Sequence, residues 1–333
     1  MATRFGILGA GGISRRFASV LKECGCAELS AVAARDLDRA EAFAREFGAN
    51  AAYGDYDALL ADPAVDAVYV GLTHNLHADL VRRALLAGKA VLCEKPMAVC
   101  AADARALAGL AREKNLLLME GMWTRCMPAV RRATQWVQKG VIGPVRLLRA
   151  AFCFDAPFDP QSRHEYRRTS PAADQNTTAS GDNVLKIGAL LDAGVYPIEF
   201  AMGVLGEHPV ETAGVQLPAE TGVDAMDLFS MRFPSGAMAE LSCSISLALP
   251  TDAVILGARG SIVVRDFLRS TRCELYDSHG DCVATFTEDV EDGFVYEIEH
   301  FCALFESGAK ESSLVPLADT IACAEVFDAL LRR

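Results

Sequence analysis

Apolar residues in the first third of the chain come in short unbroken runs, at Arg4–Leu8, Leu29–Ala34, Ala67–Gly71, Ala90–Cys93 and Leu116–Glu120. Between them, Ser14–Lys22, Leu37–Phe47, Asp79–Ala87 and Ala101–Lys114 place apolar residues at helical spacing. A run that is apolar at every position suits a strand covered on both faces, and helices are what cover a parallel sheet. The alternation predicts a doubly wound βαβ domain of the Rossmann type.

After Glu120 the rhythm changes. A helical stretch, Pro128–Gln138, ends at Lys139-Gly140, and a long strand follows at Val145–Phe154. Residues Asp155–Lys186 are polar and aperiodic, longer than an ordinary connection. Gly188–Gly203 reads as one helix, strand-like runs recur to Phe286, and helices at Val295–Glu306 and Leu317–Leu331 close the chain. Strands in series predict an antiparallel sheet with helices on one face. The fold class expected is α/β, with an N-terminal Rossmann domain over residues 1–121. A C-terminal α+β domain over 122–333, built on a large and mainly antiparallel sheet, would bind substrate and oligomerise. An antiparallel sheet with helices on one side leaves the other face to be covered. Ala239–Leu249 is the stretch expected on that face, in a homodimer or homotetramer.

Composition narrows the partners. The chain has 333 residues and a formal charge of −12. Nucleic acid and anionic membrane surfaces both require a basic footprint, so neither is expected as a partner. Eleven cysteines are scattered, and Cys24 and Cys26 make the only close pair, a poor zinc site without neighbouring histidines. No metal is expected, and the thiols read as reduced, which implies a reducing compartment. The N-terminus enters a strand directly, with no signal-like apolar region, and no apolar stretch reaches the ~18 residues of a membrane span. A soluble, cytoplasmic protein is expected.

Gly9-Ala-Gly11-Gly12-Ile13-Ser14 lies between the first strand and the first helix. Glycines there allow a tight turn and close approach of a pyrophosphate, which the helix N-terminus attracts. At the head of further β/α repeats the motif predicts a dinucleotide site, with Ser14 in place of a third glycine. The second strand ends in Ala33-Ala34-Arg35-Asp36. An acid at Ala34 would take a ribose 2′-hydroxyl. Arg35, with Arg39 one turn on, suits a 2′-phosphate instead and favours NADP. If both arginines are merely solvated and Asp36 takes the ribose, NAD is the cofactor.

Cys93-Glu94-Lys95-Pro96 sits at the carboxyl end of a strand, where open α/β sheets bind ligands. Asp192 and Tyr196 are spaced to share a helix face, and Gly194 between them hints at a close approach. Met122-Trp123-Thr124-Arg125 sets a large aromatic beside a cation. Each motif alone also fits an ion pair, a buried tyrosine or a core tryptophan.

Taken together, Gly9–Ser14, Thr73-His74-Asn75-Leu76-His77, Glu94-Lys95-Pro96, Glu120–Arg125 and Gly188–Tyr196 resemble the Gfo/Idh/MocA oxidoreductases in order and spacing. The likeness extends to the branch that holds the dimeric dihydrodiol dehydrogenases and sugar dehydrogenases. It implies that Lys95 and Tyr196 form a catalytic pair with Asp192 alongside, in a cleft between the domains. Gly9, Gly11, Gly12 and Ile13 would bind the cofactor, with Glu94 and the loop carrying Thr73, His74, Asn75 and His77 on the nicotinamide ribose. Trp123 and Arg125 would line the ring and the substrate. Oxidising a secondary alcohol needs a base for the hydroxyl proton, and a free phenol titrates near 10, too high for a good base. A neighbouring ammonium lowers that value and can also stabilise an alkoxide, so either residue could carry the proton.

Two departures flank the pocket: Lys186-Ile187 stand where relatives carry Gly-Gly, and the 155–186 segment is long. They detach substrate identity from that of any relative. The leading reading is an NAD(P)-dependent dehydrogenase or reductase of a sugar, polyol or trans-dihydrodiol. The alternatives are a nucleotide-sugar ketoreductase, a non-catalytic NAD(P)-binding regulator, and a hydrolase that retains NAD.

Overall fold

The computed structural model describes residues 2–156, 168–169, 184–185, 187–220 and 222–331. They form two compact units, residues 1–127 with 289–325 and residues 128–288 with 326–333.

The first unit alternates β1 (Thr3–Leu8), α1 (Gly12–Leu21), β2 (Ala27–Ala33), α2 (Leu37–Phe47), β3 (Ala51–Tyr53), α3 (Tyr56–Leu60), β4 (Ala67–Val70), α4 (His77–Leu86), β5 (Ala90–Glu94), α5 (Ala101–Lys114) and β6 (Leu118–Gly121). A four-residue turn of helix, α6 (Trp123–Cys126), follows. All strand pairings are parallel, in the order β3-β2-β1-β4-β5-β6. The order reverses between β1 and β4, which opens a crevice at their carboxyl ends. Phe5, Ile7, Leu8, Val68, Tyr69 and Val70 are fully buried, as strands covered on both faces require. Local chemistry agrees with the pattern. Asp36 caps α2 by accepting from the amides of Asp38 and Arg39, and Gly48 ends that helix at φ 78°. The β3–α3 pair is absent from the sequence reading because three and five residues are too few to show a period.

The second unit holds α7 (Pro128–Gln138), β7 (Val145–Cys153), β8 (Arg168–Thr169), β9 (Val184–Leu185), α8 (Val195–Leu205), β10 (Glu211–Pro218), β11 (Asp224–Arg232), β12 (Met238–Ser244), β13 (Ala253–Gly257), β14 (Gly260–Arg265), β15 (Arg272–Asp277) and β16 (Cys282–Thr287). Eight strands make one sheet, in the order β10-β11-β12-β7-β13-β14-β15-β16. Every pairing is antiparallel except that of β12 with β7. Burial alternates along the strands, with Phe229, Met231, Leu241 and Ile262 buried, and α8 packs on β12 and α7 on β14. Val215, Leu217, Leu228, Met238 and Leu256 are exposed on the other face. The Ala239–Leu249 stretch expected there is only partly so: Ala239, Leu241, Cys243 and Ile245 are buried, because alternate residues face the core. β8 and β9 pair antiparallel, and the rest of the 157–186 stretch lies outside the described residues.

Beyond β16 come α9 (Phe294–Ser307) and α10 (Leu317–Leu331). The division at 121/122 expected from the sequence meets a different partition here, since residues 289–325 belong with the first unit. α9 packs on α1 and β1, with Phe301 5.4 Å from Phe5. Phe294, Ile298 and Phe301 are buried, at about 1.5–3 kcal/mol for each side chain. Helical periodicity marks a face as buried without saying which sheet covers it.

Candidate functional site

The crevice of the first unit begins at the glycine turn. Gly9 takes φ 105°, and a Cβ there would lie 2.8 Å from the Leu72 side chain, so only glycine fits. Gly11 precedes α1 with extended backbone and no side-chain cap, and a Cβ on Gly12 would meet nothing within 4 Å. Ile13 is half-buried beside them. The first amides of α1 are therefore uncapped by any side chain and border open space, which suits a pyrophosphate. Ser14, fully buried, donates from Oγ to the Gly71 carbonyl at 3.2 Å and ties α1 to the end of β4. It thereby does the packing work of the missing third glycine.

At the end of β2, Ala34 is buried while Arg35 and Arg39 are exposed. Asp36 is committed as the cap of α2, 3.0 Å from the Asp38 amide. The guanidinium of Arg39 reaches back to within 3.5 Å of the Ala10 carbonyl. Burial pushes the Tyr56 phenol up, and the nearby positive charges of Arg35, Arg39 and Arg83 pull it down. Arg83 is paired with Asp57 and Asp79, so Arg35 and Arg39 are the guanidiniums that bias this end of the crevice towards anions, and the residues fit a cofactor with a 2′-phosphate.

The β5 end is built from buried carboxyls. Glu94 accepts from the Tyr69 hydroxyl at 2.6 Å and from the Lys95 amide at 3.2 Å. Tyr69 stacks on Phe17 at 3.7 Å, and its burial raises the phenol well above 10, so it stays a donor. Burial also raises Glu94, against the opposing effects of the Tyr69 hydrogen bond and the Lys95 charge. Lys95 is half-buried, and its peptide bond to Pro96 is cis. Glu120 accepts from the Met97 amide at 2.8 Å and the Thr320 hydroxyl at 2.6 Å, fixing the loop that carries Lys95.

In the 73–77 loop, Thr73 and Asn75 are exposed and His74 is buried. His77 is buried with Nδ1 2.8 Å from the Pro96 carbonyl and Nε2 3.0 Å from the Leu72 carbonyl. A neutral ring can donate to only one of them. Burial lowers the imidazole pKa, against the pull of both carbonyls. The ring fastens its loop to the loop after β5.

Trp123 and Arg125 are also packed. Arg16 lies over the Trp123 ring at 5.1 Å and the Phe294 ring at 4.5 Å, and binds Asp292 through two contacts of 2.8 Å. Arg125 pairs with Asp319 at 2.6 Å with little of either side chain exposed. Glu297 is fully buried on α9, and neither carboxyl oxygen has a hydrogen-bond partner. Burial, then the charge of Glu94, holds its pKa well above the usual carboxylate range.

In the second unit, residues Leu190–Gly194 form a π-turn rather than the start of a regular α-helix. The Val195 amide donates to the Leu190 carbonyl, a spacing common at functional sites. Asp192 is 7 % exposed, and Tyr196 is 8 % exposed with its ring edge-on to Phe152 at 5.3 Å. A Cβ on Gly194 would come within 2.9 Å of the Leu190 side chain and 3.0 Å of Cys243 Sγ. The approach that its position implied is therefore to side chains.

The structure brings together the glycine turn, the 73–77 loop, Glu94 and Lys95 at the carboxyl ends of β1, β4 and β5. Trp123 and Arg125 follow β6 in the same unit, while Asp192 and Tyr196 lie in the other. Sequence reasoning missed Tyr69, Arg16, Asp292 and Glu297. A tyrosine in the otherwise aliphatic run Ala67–Gly71 was the one visible signal. Among the described residues no cluster suits a metal ion, no helix is long and apolar enough to cross a membrane, and all eleven cysteines are free thiols.

Residues 3–122 match the family model for the oxidoreductase family with NAD-binding Rossmann fold, and residues 130–263 match the GFO/IDH/MocA C-terminal domain. A trans-1,2-dihydrobenzene-1,2-diol dehydrogenase from Mus musculus is 35 % identical over 98 % of this chain and 96 % of its own. The enzyme of the same name from Homo sapiens is 33 % identical over the same shares. KijD10, a 3-ketoreductase from Actinomadura kijaniata solved with NADP and TDP-benzene, is 27 % identical, with TM-score 0.82 over 100 % of this chain and 98 % of that one. An aldose-aldose oxidoreductase from Caulobacter crescentus shares the fold at TM-score 0.86 and 24 % identity, over 100 % of this chain and 97 % of its own. With both halves matched and relatives aligned end to end, the chain belongs to the Gfo/Idh/MocA family of NAD(P)-binding oxidoreductases.

Proposed function

We propose that this oxidoreductase is an NADP-preferring dehydrogenase or reductase acting on a secondary alcohol or ketone of a sugar, polyol or trans-dihydrodiol. The observation that carries the cofactor choice is the capping role of Asp36. It leaves Arg35 and Arg39 as the side chains beside the ribose position. Gly9, Gly11, Gly12 and Ile13 receive the pyrophosphate. Glu94 and Thr73, His74 and Asn75 serve the nicotinamide ribose, with His77 acting through the position of its loop. A bound nicotinamide supplies the hydride acceptor or donor. Lys95 and Tyr196 share the proton transfer with Asp192 in support, while Trp123 and Arg125 shape the substrate wall.

The relatives' names motivate the substrate class, and a panel of sugars, ketosugars and trans-dihydrodiols assayed by absorbance of reduced cofactor tests it. No turnover with any member, beside tight NADPH binding, would favour a regulator. A nucleotide-sugar ketoreductase is the second reading, prompted by the likeness to KijD10. The exposed apolar face of the eight-stranded sheet supports a homodimer or homotetramer. Eleven free thiols, Cys282 exposed among them, suit a reducing cytoplasm.

A further inference from the structure

Three consecutive residues after β5 each have a backbone group held by a buried side chain. The Lys95 amide donates to Glu94 at 3.2 Å, the Pro96 carbonyl lies 2.8 Å from His77 Nδ1, and the Met97 amide donates to Glu120 Oε1 at 2.8 Å. Glu94 and His77 have a place in the proposed cofactor site. Glu120, on β6 and 2 % exposed, has none. Its other oxygen accepts from the hydroxyl of Thr320 at 2.6 Å, a buried residue in the first turn of α10. That turn is fixed from several sides. Leu317 is buried in the apolar cluster that takes in Met97 and, on α5, Leu107, Ala108 and Ala111, and its amide donates to Glu311 at 2.8 Å. Ahead of the helix, the Lys310 carbonyl accepts from the Leu118 amide of β6 at 3.3 Å. Asp319, beside Thr320, holds Arg125.

The packing of Leu317 would be enough to hold α10 against α5. A buried carboxyl adds little stability over apolar groups of the same volume, but its hydrogen bonds have direction. Here they lead from Thr320, through both oxygens of Glu120, to the residue two positions beyond Lys95. We infer that Glu120 and Thr320 are positioning residues of the reaction, which set the loop backbone from which the Lys95 side chain reaches. A displacement of about 1 Å in a reacting group can cost on the order of a hundredfold in rate, so a grip on the backbone beside it matters. The bearing of Glu120 and Thr320 on turnover rests on the reading of Lys95 as catalytic. Burial raises the Glu120 carboxyl, and the hydrogen bonds from Thr320 and Met97, then the charges of Arg125 and Lys95, oppose that rise.

Four variants test this. Glu120→Leu removes both hydrogen bonds at similar volume, whereas Glu120→Gln keeps both, its oxygen accepting from Met97 and its nitrogen donating to Thr320. Thr320→Val is nearly isosteric, and Thr320→Ser retains the hydroxyl. Hydrogen–deuterium exchange of the full chain, read in the peptide over 94–99, reports on the loop without any substrate. Exchange there should quicken by about tenfold or more in Glu120→Leu, by less in Thr320→Val, and stay near native in Glu120→Gln and Thr320→Ser. On a substrate from the sugar, ketosugar and dihydrodiol panel, kcat should fall in the same order. The loss should be about tenfold to a hundredfold in Glu120→Leu, with the NADPH dissociation constant held within about threefold. Native-like exchange in both Glu120→Leu and Thr320→Val overturns the inference. So does a loss of turnover in Glu120→Gln equal to that in Glu120→Leu, which would assign the effect to charge rather than to placement. Thr320→Val keeps the test in force if Glu120→Leu does not fold. Quickened exchange with undiminished kcat would retain the grip on the loop and remove the catalytic reading of Lys95 instead, in which case Lys95→Met also keeps its turnover.

Discussion

Replacing Arg35 with alanine should cost this protein most of its preference for NADPH while sparing NADH. Arg35 is exposed at the end of β2, and its neighbour Asp36 is engaged by the first amides of α2, so the guanidinium is available for a 2′-phosphate. A hydrogen bond to a charged group contributes roughly 1.5–3 kcal/mol, and solvent screening at an exposed site lowers that to about 1–2 kcal/mol. The dissociation constant for NADPH should therefore rise by about fivefold to thirtyfold at low salt, with a smaller rise at high salt. Arg39→Ala should act in the same direction, because its guanidinium reaches towards Ala10 in the glycine turn. Calorimetric titration of both reduced cofactors at two ionic strengths measures all of this. Asp36→Ala is the control. As a helix cap it should lose about 1 kcal/mol of stability and leave the cofactor ratio alone. Equal or tighter NADH binding by the native chain, unchanged in Arg35→Ala, refutes the reasoning. So does a selective loss of NADH in Asp36→Ala, which would mean that the acid and not the arginines reads the ribose.

Lys95→Met and Tyr196→Phe should each lower turnover on an identified substrate by on the order of a hundredfold, and the double variant should lose far less than the product. Near-full turnover of Tyr196→Phe would make that residue structural. Burial raises the Glu297 carboxyl in the folded protein, so its contribution to stability is lost as pH rises from the unfolded carboxyl value through the raised one. Glu297→Gln should gain melting temperature relative to the native chain at pH 8 and lose that advantage towards pH 4; an offset that does not vary with pH counts against a buried neutral acid. Light scattering at micromolar concentration should give a multiple of the 35.7 kDa chain mass, and Leu228→Glu on the exposed sheet face should shift it to the single-chain value. A native chain that scatters as a monomer rules out that interface.

The parallel sheet was legible because β1, β2, β4, β5 and β6 are each buried on both faces and so carry unbroken apolar runs. The glycine turn was legible because a positive φ at Gly9 and an open first turn at Gly12 leave few alternatives to glycine. Lys95 stood out by its place after a strand. What decides how these groups are held was not legible. Glu120 reaches Thr320, and Arg16 reaches Asp292, across long stretches of chain that no local period reports. The π-turn was hidden as well, since one extra residue in a helical turn leaves the apolar pattern of Gly188–Gly203 almost unchanged. Nothing in the sequence marks Asp227 either, a charged residue that faces inward with Phe229 and Met231.

The return of residues 289–325 to the first unit bears on how the protein is made. The strand at the centre of the cofactor-binding sheet leaves the ribosome long before α9, so Phe5 has to wait for Phe301 before its surroundings are complete. A long stretch of chain is synthesised in that interval, so a nascent fragment ending near Met127 carries a sheet on which Phe5 and α1 still lack the cover of α9. Such a fragment invites chaperone binding or self-association, whereas a shorter contact order would allow the unit to close during translation. Cutting the gene at the family-model boundary near residue 122 should accordingly yield an aggregating polypeptide rather than a free-standing dinucleotide-binding module.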